Sequence, residues 1–186
     1  VFVEAKTAIH TFIRTLESFE FSVSRLNALV LSFFRRFAQL LRERFAADFQ
    51  QAIREAQHQP MIVNDATELA KVLSVCWLKP GEAEQLGKQP FPLSLPFSQT
   101  YPLCCMDIRS LVEQYYSFSQ GMTQYHQEVD AILSQSLDDL LIQLISVNIR
   151  DTVEQSNNLS QIAQIIVNIE HFQLACSELE KWLSES

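Results

Sequence analysis

Every residue type that ends or distorts a helix falls in one central stretch: all six prolines and all three glycines of the 186-residue chain lie between Pro60 and Gly121. Proline removes a backbone donor and clashes with the preceding helical turn, and glycine carries the largest backbone entropy cost, so their placement marks where helix can run. The chain divides accordingly. Residues 1–59 read as the long helices of a first bundle. Residues 60–102 read as a short helix or extended segment followed by a Pro-rich crossing loop. Residues 103–186 read as the three-helix part of a second bundle. The fold class is all-α, an elongated antiparallel helical bundle rod with a central Pro-rich ordered loop.

Apolar periodicity supports each part. Phe2, Ile9, Phe12, Ile13, Leu16 and Phe19 recur at three and four, and a weak break is expected near Ser22 to Ser24. The stripe resumes at Val23, Leu26, Val30, Phe33, Phe37, Leu41, Phe45, Phe49 and Ile53, roughly 45 Å at about 1.5 Å per residue. Asp65 followed by Glu68 has capping-box spacing for a short helix ending near Leu73, with Val72 to Leu78 open to an extended alternative. From Lys79 to Pro96 the Pro and Gly density argues against regular helix or a central strand. Helix resumes near Ser98 or Thr100, tolerates Pro102 in its first turn, turns Leu103, Ile108, Leu111, Val112, Tyr115 and Phe118 inward, and ends at Gly121. A further helix is expected from Thr123 to Thr152 on Val129, Leu133, Leu137, Leu140, Leu144 and Val147. A last one follows Asn157 and Asn158, with its seam on Ile162, Ile166, Ile169, Phe172, Cys176, Leu179 and Leu183.

Charge bears on partners rather than on fold. Residues 1–59 carry eight Lys or Arg against six acids and residues 122–186 two against ten, within a net charge of −8. That balance argues against general nucleic-acid binding, which needs a concentrated basic surface. No apolar run approaches the roughly 20 residues of a membrane span, and the N-terminus has neither a basic region nor a small-residue cleavage site. The chain starts at Val1 and its helical pattern begins at once, which reads as a fragment of a longer protein.

The chemistry expected of an enzyme is missing from the pattern. The three glycines are isolated, so no phosphate-cradling loop forms from them. His10, His58, His126 and His171 lack second ligands at helical spacing, and Cys76, Cys104, Cys105 and Cys176 show no CxxC spacing. No catalytic, metal or cofactor residues are assigned; the thiols read as small buried hydrophobes in a reducing compartment. A thiolate at Cys104 or Cys105 would gain from the helix N-terminus near Pro102, but no histidine lies near in sequence to act as base. The candidate interaction surface is Arg35, Arg36, Arg42 and Arg44. Arg35 and Arg42 share an azimuth, so a basic ridge interleaved with Phe33, Phe34 and Phe37 would face an acidic partner or an anionic lipid surface. The alternative is a solvated flank paired with Glu43, Asp48 or the acidic last third.

Pro90 to Phe118 reads PFPLSLPFSQTYPLCCMDIRSLVEQYYSF, with LPFSQ and YPLCCMDIR its most specific strings. Together with FAQLLRERFAADFQ at Phe37 to Gln50, PMIVND at Pro60 to Asp65 and IAQIIVNIEHFQLACSELEKWL at Ile162 to Leu183, it resembles the exocyst complex component six family in its fungal form, over about residues 34–183. The resemblance implies a segment of a vesicle-tethering rod that docks secretory vesicles at the plasma membrane before fusion. It implies other exocyst subunits and, for the parent chain, a Rab-family GTPase as partners, with a cytoplasmic location at sites of exocytosis. No short motif marks the Rab contact, so no binding residue is carried over. The competing readings are a peripheral membrane-binding module using Arg35, Arg36 and Arg42, and the helical rod of a different tether.

Overall fold

The computed structural model describes residues 2–56, 58–122 and 125–184, and the side chains of all these except 2, 3, 143–145, 148 and 182–184. Among the described residues there are eight α-helices, one π-helical segment and one two-stranded antiparallel ribbon, the all-α architecture that the helix breakers predict. Two compact units interleave along the chain. The first comprises residues 1–46 and 111–141, the second residues 47–110 and 142–186.

The first unit is built on α1 (Phe2–Ser18), the first 23 residues of α2 (Ser24–Arg54), the end of α5 (Thr100–Ser119) and α6 (His126–Asp138). The expected break near Ser22 is a Schellman turn: Phe21 N–H donates to Leu16 O and Glu20 N–H to Glu17 O, with Glu20 in the left-handed region at φ 62°. Gly121, at φ 85°, follows α5, and the Lys6 ammonium donates to the carbonyls of Phe118 (2.6 Å) and Gln120 (3.0 Å), satisfying acceptors that the helix end leaves open. The core gathers Phe34, Leu41 and Phe45 of α2 with Leu111, Val112, Tyr115 and Phe118 of α5 and Val129, Leu133 and Leu137 of α6. Phe34 meets Tyr115 edge-on at 5.0 Å and Phe37 stacks on Phe118 at 4.1 Å, geometries that add to area burial.

The second unit holds the proline-rich stretch. Asp65 caps α3 (Ala66–Val75) by accepting from the N–H groups of Thr67 and Glu68, while Glu68 accepts from Asn64 N–H, a reciprocal pair shifted by one residue from the usual box. The loop expected from Lys79 to Pro96 contains a short helix after all, α4 (Glu82–Gly87). Its six residues include no proline, Gly81 supplies the left-handed turn at φ 81°, and Glu82 accepts from Lys79 N–H at the helix start. Farther on, β2 (Leu93–Ser94) pairs with β1 (Ile62–Val63), an edge ribbon that needs no continuous run of donors. Val63, Leu93, Leu95 and Phe97 are buried, as are Tyr101, Cys104, Cys105 and Ile108 of α5, and the Phe97 ring meets Tyr101 at 5.0 Å and His171 of α8 (Leu159–Ser184) at 5.2 Å.

Four helical faces depart from the periodic reading. On the first, α1, Ile13 is buried but Phe12 and Phe19, expected on the same apolar stripe, are exposed. Leu103 lies at the surface of α5 although its neighbours Tyr101, Cys104 and Cys105 are buried. The helix expected through Thr152 is interrupted by a π-helical segment, Asp139–Ser146, before α7 (Val147–Gln155). Val129, Leu133, Leu137 and Leu140 are buried as expected, and beyond the wider turns Val147 is exposed. Thr123 and the side chains of Phe2, Leu144 and Leu183 fall outside the described residues. On α8 the expected seam is also rotated: Ile166 is 52% exposed, Ile162 and Ile169 are half-buried, and the inner face consists of Gln164, Ile165, Asn168, His171, Phe172, Ala175 and Leu179.

The rotation gives adjacent isoleucines opposite roles. Ile165→Ala should cost about 2–4 kcal/mol in urea unfolding, and Ile166→Ala should stay within about 0.5 kcal/mol; equal costs would restore the purely periodic seam.

Candidate functional site

The arginine ridge lies in the first unit and is divided by its partners. Arg35, Arg36 and Arg44 are exposed on α2, whereas Arg42 is half-buried and its guanidinium Nη1 pairs with the Asp139 carboxylate. Gln135 Nε2 also donates to Asp139 at 3.0 Å, so that carboxylate is held from both sides. Arg35 and Arg42 do share an azimuth: with Ala38 and Gln39 they form one wall of a cleft of about 270 Å³, opposite Ala131, Ile132, Gln135 and Ser136 of α6. Arg36 donates to Gln39 (2.9 Å), which donates in turn to Glu43 (2.9 Å), and the Arg44 guanidinium lies 5.5 Å from the Phe45 ring. Of the three phenylalanines expected between these charges, Phe33 is half-buried and the other two point elsewhere. Phe34 is fully buried and Phe37 stacks on Phe118, because they belong to the core-facing stripe of α2.

In the second unit a buried polar row that the apolar pattern does not reveal organises the proline segment. Gln164, Asn168 and His171 lie at steps of four and three on the inner face of α8. Gln164 Nε2 donates to Pro96 O (2.9 Å); Asn168 Oδ1 accepts from Ser98 N–H (3.0 Å), and Asn168 Nδ2 donates to Ser98 Oγ (2.7 Å). His171 Nδ1 lies 2.8 Å from Val167 O and its Nε2 lies 3.3 Å from Glu82 at the start of α4. The rings of Phe97 and Tyr101 meet the imidazole edge-on at 5.2 and 5.3 Å. The available signal is the spacing itself, three polar side chains on one face of a helix otherwise rich in Ile and Leu.

An open groove of about 810 Å³ lies in this unit between the end of α2, β1, α3 and the start of α5. His58 lines it at φ 48°, with Nδ1 buried and unmatched by any protein partner. Burial holds the His58 imidazole below its ordinary value. His10 on α1 shifts the same way, first through burial and then through repulsion from Lys6 and Arg14. Cys104 is fully buried and its thiol is pushed well up by burial, then by Cys105 and Asp107, which removes it as a nucleophile. Among the described residues no three His, Cys, Asp or Glu side chains converge to hold a metal ion, and no helix is long and apolar enough to cross a membrane.

Residues 25–186 match the family described as "Exocyst complex subunit Sec15 C-terminal". The chain is 27% identical over 187 residues to "Exocyst complex component SEC15" of Saccharomyces cerevisiae, covering 98% of this chain and 20% of that protein. It is 27% identical over 183 residues to "Exocyst complex component 6" of Rattus norvegicus, covering 98% and 22%. Against "Exocyst complex component sec15" of Schizosaccharomyces pombe it is 24% identical over 181 residues, covering 97% and 22%. The chain thus spans about a fifth of the length of the curated relatives it matches. No solved structure matches it.

Two measurements test this geometry. Asn168→Ala strands the Ser98 N–H donor and the Ser98 Oγ acceptor in a buried setting and should cost about 1–3 kcal/mol in chemical unfolding, with the largest backbone shift changes at residues 96–100. An effect of zero would mean that water replaces the amide. For the histidines, the unfolded chain takes up protons near the ordinary value of 6.5 while folded His10 and His58 resist them until lower pH. Their contribution to stability is complete above that value and is lost as the pH falls below it. The urea midpoint should therefore decline on acidification below about pH 6.5, and His10→Gln with His58→Gln should flatten the decline.

Proposed function

Because the chain belongs to the exocyst complex subunit Sec15 C-terminal family, we propose that it serves as a non-enzymatic interaction segment of an exocyst subunit, in a complex that tethers secretory vesicles to the plasma membrane before fusion. The parent protein acts as effector of an exocytic Rab GTPase and binds other exocyst subunits, in the cytoplasm at sites of exocytosis. The observation that carries this reading is the family match across residues 25–186, which includes every helix of the second unit and all but α1 of the first. The physical character of the chain supports it. Closely packed helices hold exposed side chains at fixed spacing, which suits recognition of a partner's surface.

Within that role, Arg35, Arg36 and Arg44 are the basic part of an interaction surface on α2, facing an acidic partner. A lipid-binding ridge is less well supported by this geometry. Arg42 is neutralised by Asp139, and Phe34 and Phe37 are committed to the core rather than free to enter an acyl layer. Nucleic acid is a poor fit for a chain of net charge −8.

A panel of Rab proteins locked in the GTP or GDP form tests the proposal on both the complete subunit and the 186-residue chain. The complete subunit should retain at least one Rab in its GTP form only; no nucleotide-dependent capture would overturn the effector role. In flotation with phosphatidylserine vesicles, the chain should bind no more than it binds neutral vesicles. Binding abolished by Arg35→Glu with Arg36→Glu would instead establish the membrane reading.

A further inference from the structure

Helix α8 carries two apolar faces, and the second unit covers only one of them. The inner face is centred on Asn168 and Phe172, both buried. Roughly 140° around the axis, at about 100° per residue, runs a second row: Leu159, Ile162, Ile166 and Ile169, in the steps of three and four that a packed helix pair uses. Leu159 is 83% exposed and Ile166 52%, while Ile162 and Ile169 are half-buried. No charged residue occurs between Glu154 and Glu170, so the row is an uninterrupted seam rather than a scatter of surface isoleucines. A helix apolar on both sides belongs in the interior of a larger set of helices. Acids rim the seam. Glu170 and Glu180 are exposed on α8 close to its azimuth. The two Lys or Arg residues between positions 142 and 186 are already engaged, Arg150 with Asp151 and Glu154 and Lys181 with Glu178, which leaves the surroundings of the seam with a surplus of carboxylates.

We propose that this seam seats an amphipathic helix from the part of the parent polypeptide outside residues 1–186, one whose apolar positions follow the same spacing and whose flanks carry Lys or Arg. The proposal rests on the chain being a segment of a subunit as long as its relatives, and not on Rab or membrane binding. Three sources of such a helix compete, and size and charge decide among them. The exposed seam offers on the order of a few hundred Å², whereas a separate partner needs roughly 800 Å² on each side for a stable interface. A second copy of this chain would bring its own carboxylates against Glu170 and Glu180, a like-charge contact that disfavours the pair. A helix of the same polypeptide meets neither obstacle, because covalent linkage presents it at an effective concentration on the order of mM, at which a small seam suffices. The length for it exists: about four-fifths of each matched relative lies outside the region that this chain covers. Burial of Leu159 and Ile166 supplies the apolar gain. Basic residues beside the partner's apolar row set its orientation and register against Glu170 and Glu180.

The test places the photo-crosslinker benzoylphenylalanine at the Ile166 position of the complete subunit, purified without its partners as an equal mixture of heavy-nitrogen and unlabelled protein. Crosslinks should join α8 to a stretch outside residues 1–186, within one isotopic species, and that stretch should read as a helix with Lys or Arg beside its apolar positions. Ile166→Cys, read at that site by mass mapping, should react with maleimide at least about tenfold more slowly in the complete subunit than in the 186-residue chain. Ile166→Glu should lower the urea midpoint of the complete subunit and leave that of the 186-residue chain unchanged. Crosslinks of mixed isotope, which mark a second copy, overturn the proposal. So do crosslinks to a stretch without basic flanks, the lack of any crosslink, equal labelling rates, or protection that arises only when other exocyst subunits are added. Crosslinking and labelling remain decisive if the Glu variant folds poorly. Rab capture is a separate measurement, so the effector reading and this one fail independently.

Discussion

A segment that cannot form helix can be buried only if its backbone groups find partners elsewhere, and most of residues 93–98 are buried. The second unit is arranged around that requirement. Leu95 N–H reaches Met61 O, Met61 N–H reaches Phe97 O, and the amides of Gln164 and Asn168 take Pro96 O and Ser98 N–H. The proline in this stretch, Pro96, removes a donor that would otherwise need a partner. What remains is few enough for one ribbon and two side chains to satisfy. With these bonds made, Leu93, Leu95 and Phe97 bury their side chains without stranding polar backbone. If the amides were absent, the same burial would leave polar groups unpaired, each a cost comparable to a whole buried hydrogen bond.

That requirement also explains what the sequence concealed. A long chain without Gly or Pro is legible as helix because nothing local competes, and α1, α2 and the ends of α5 fall close to where the breakers predict. Rotation about a helix axis is different. It is fixed by what the helix must touch, and α8 must present Gln164 and Asn168 to the proline segment, so Ile166 is turned toward solvent. The π-helical segment is hidden for a related reason, since Asp139–Ser146 has ordinary apolar spacing and its wider turns follow from tertiary contacts. Helix α4 is masked by the breaker density of Lys79 to Pro96 as a whole, although the six residues after Gly81 contain no proline.

The candidate sites divide along the same line. Arg35 and Arg42 fall on one cleft as helical spacing requires, and acids of the last third were a foreseeable partner, which Asp139 proves to be for Arg42. The tie between the end of α3 and α5 was not foreseeable. Arg109 reaches Val75 O and the Trp77 ring, and Tyr101 reaches Trp77 O, contacts between separate stretches of chain that no spacing rule links.

The fastening of the non-helical stretch differs in kind from the packing of the first unit. Phe34, Tyr115, Phe118 and their neighbours are held by apolar area and ring geometry, which respond weakly to proton or oxidant. Residues 75–98 are fixed at three points by polar groups: a guanidinium and a phenol at Val75 and Trp77, a carboxylate and an imidazole at Glu82 and His171, and amides at Pro96 and Ser98. Such contacts are directional, and losing one partner leaves the other exposed to the full desolvation cost.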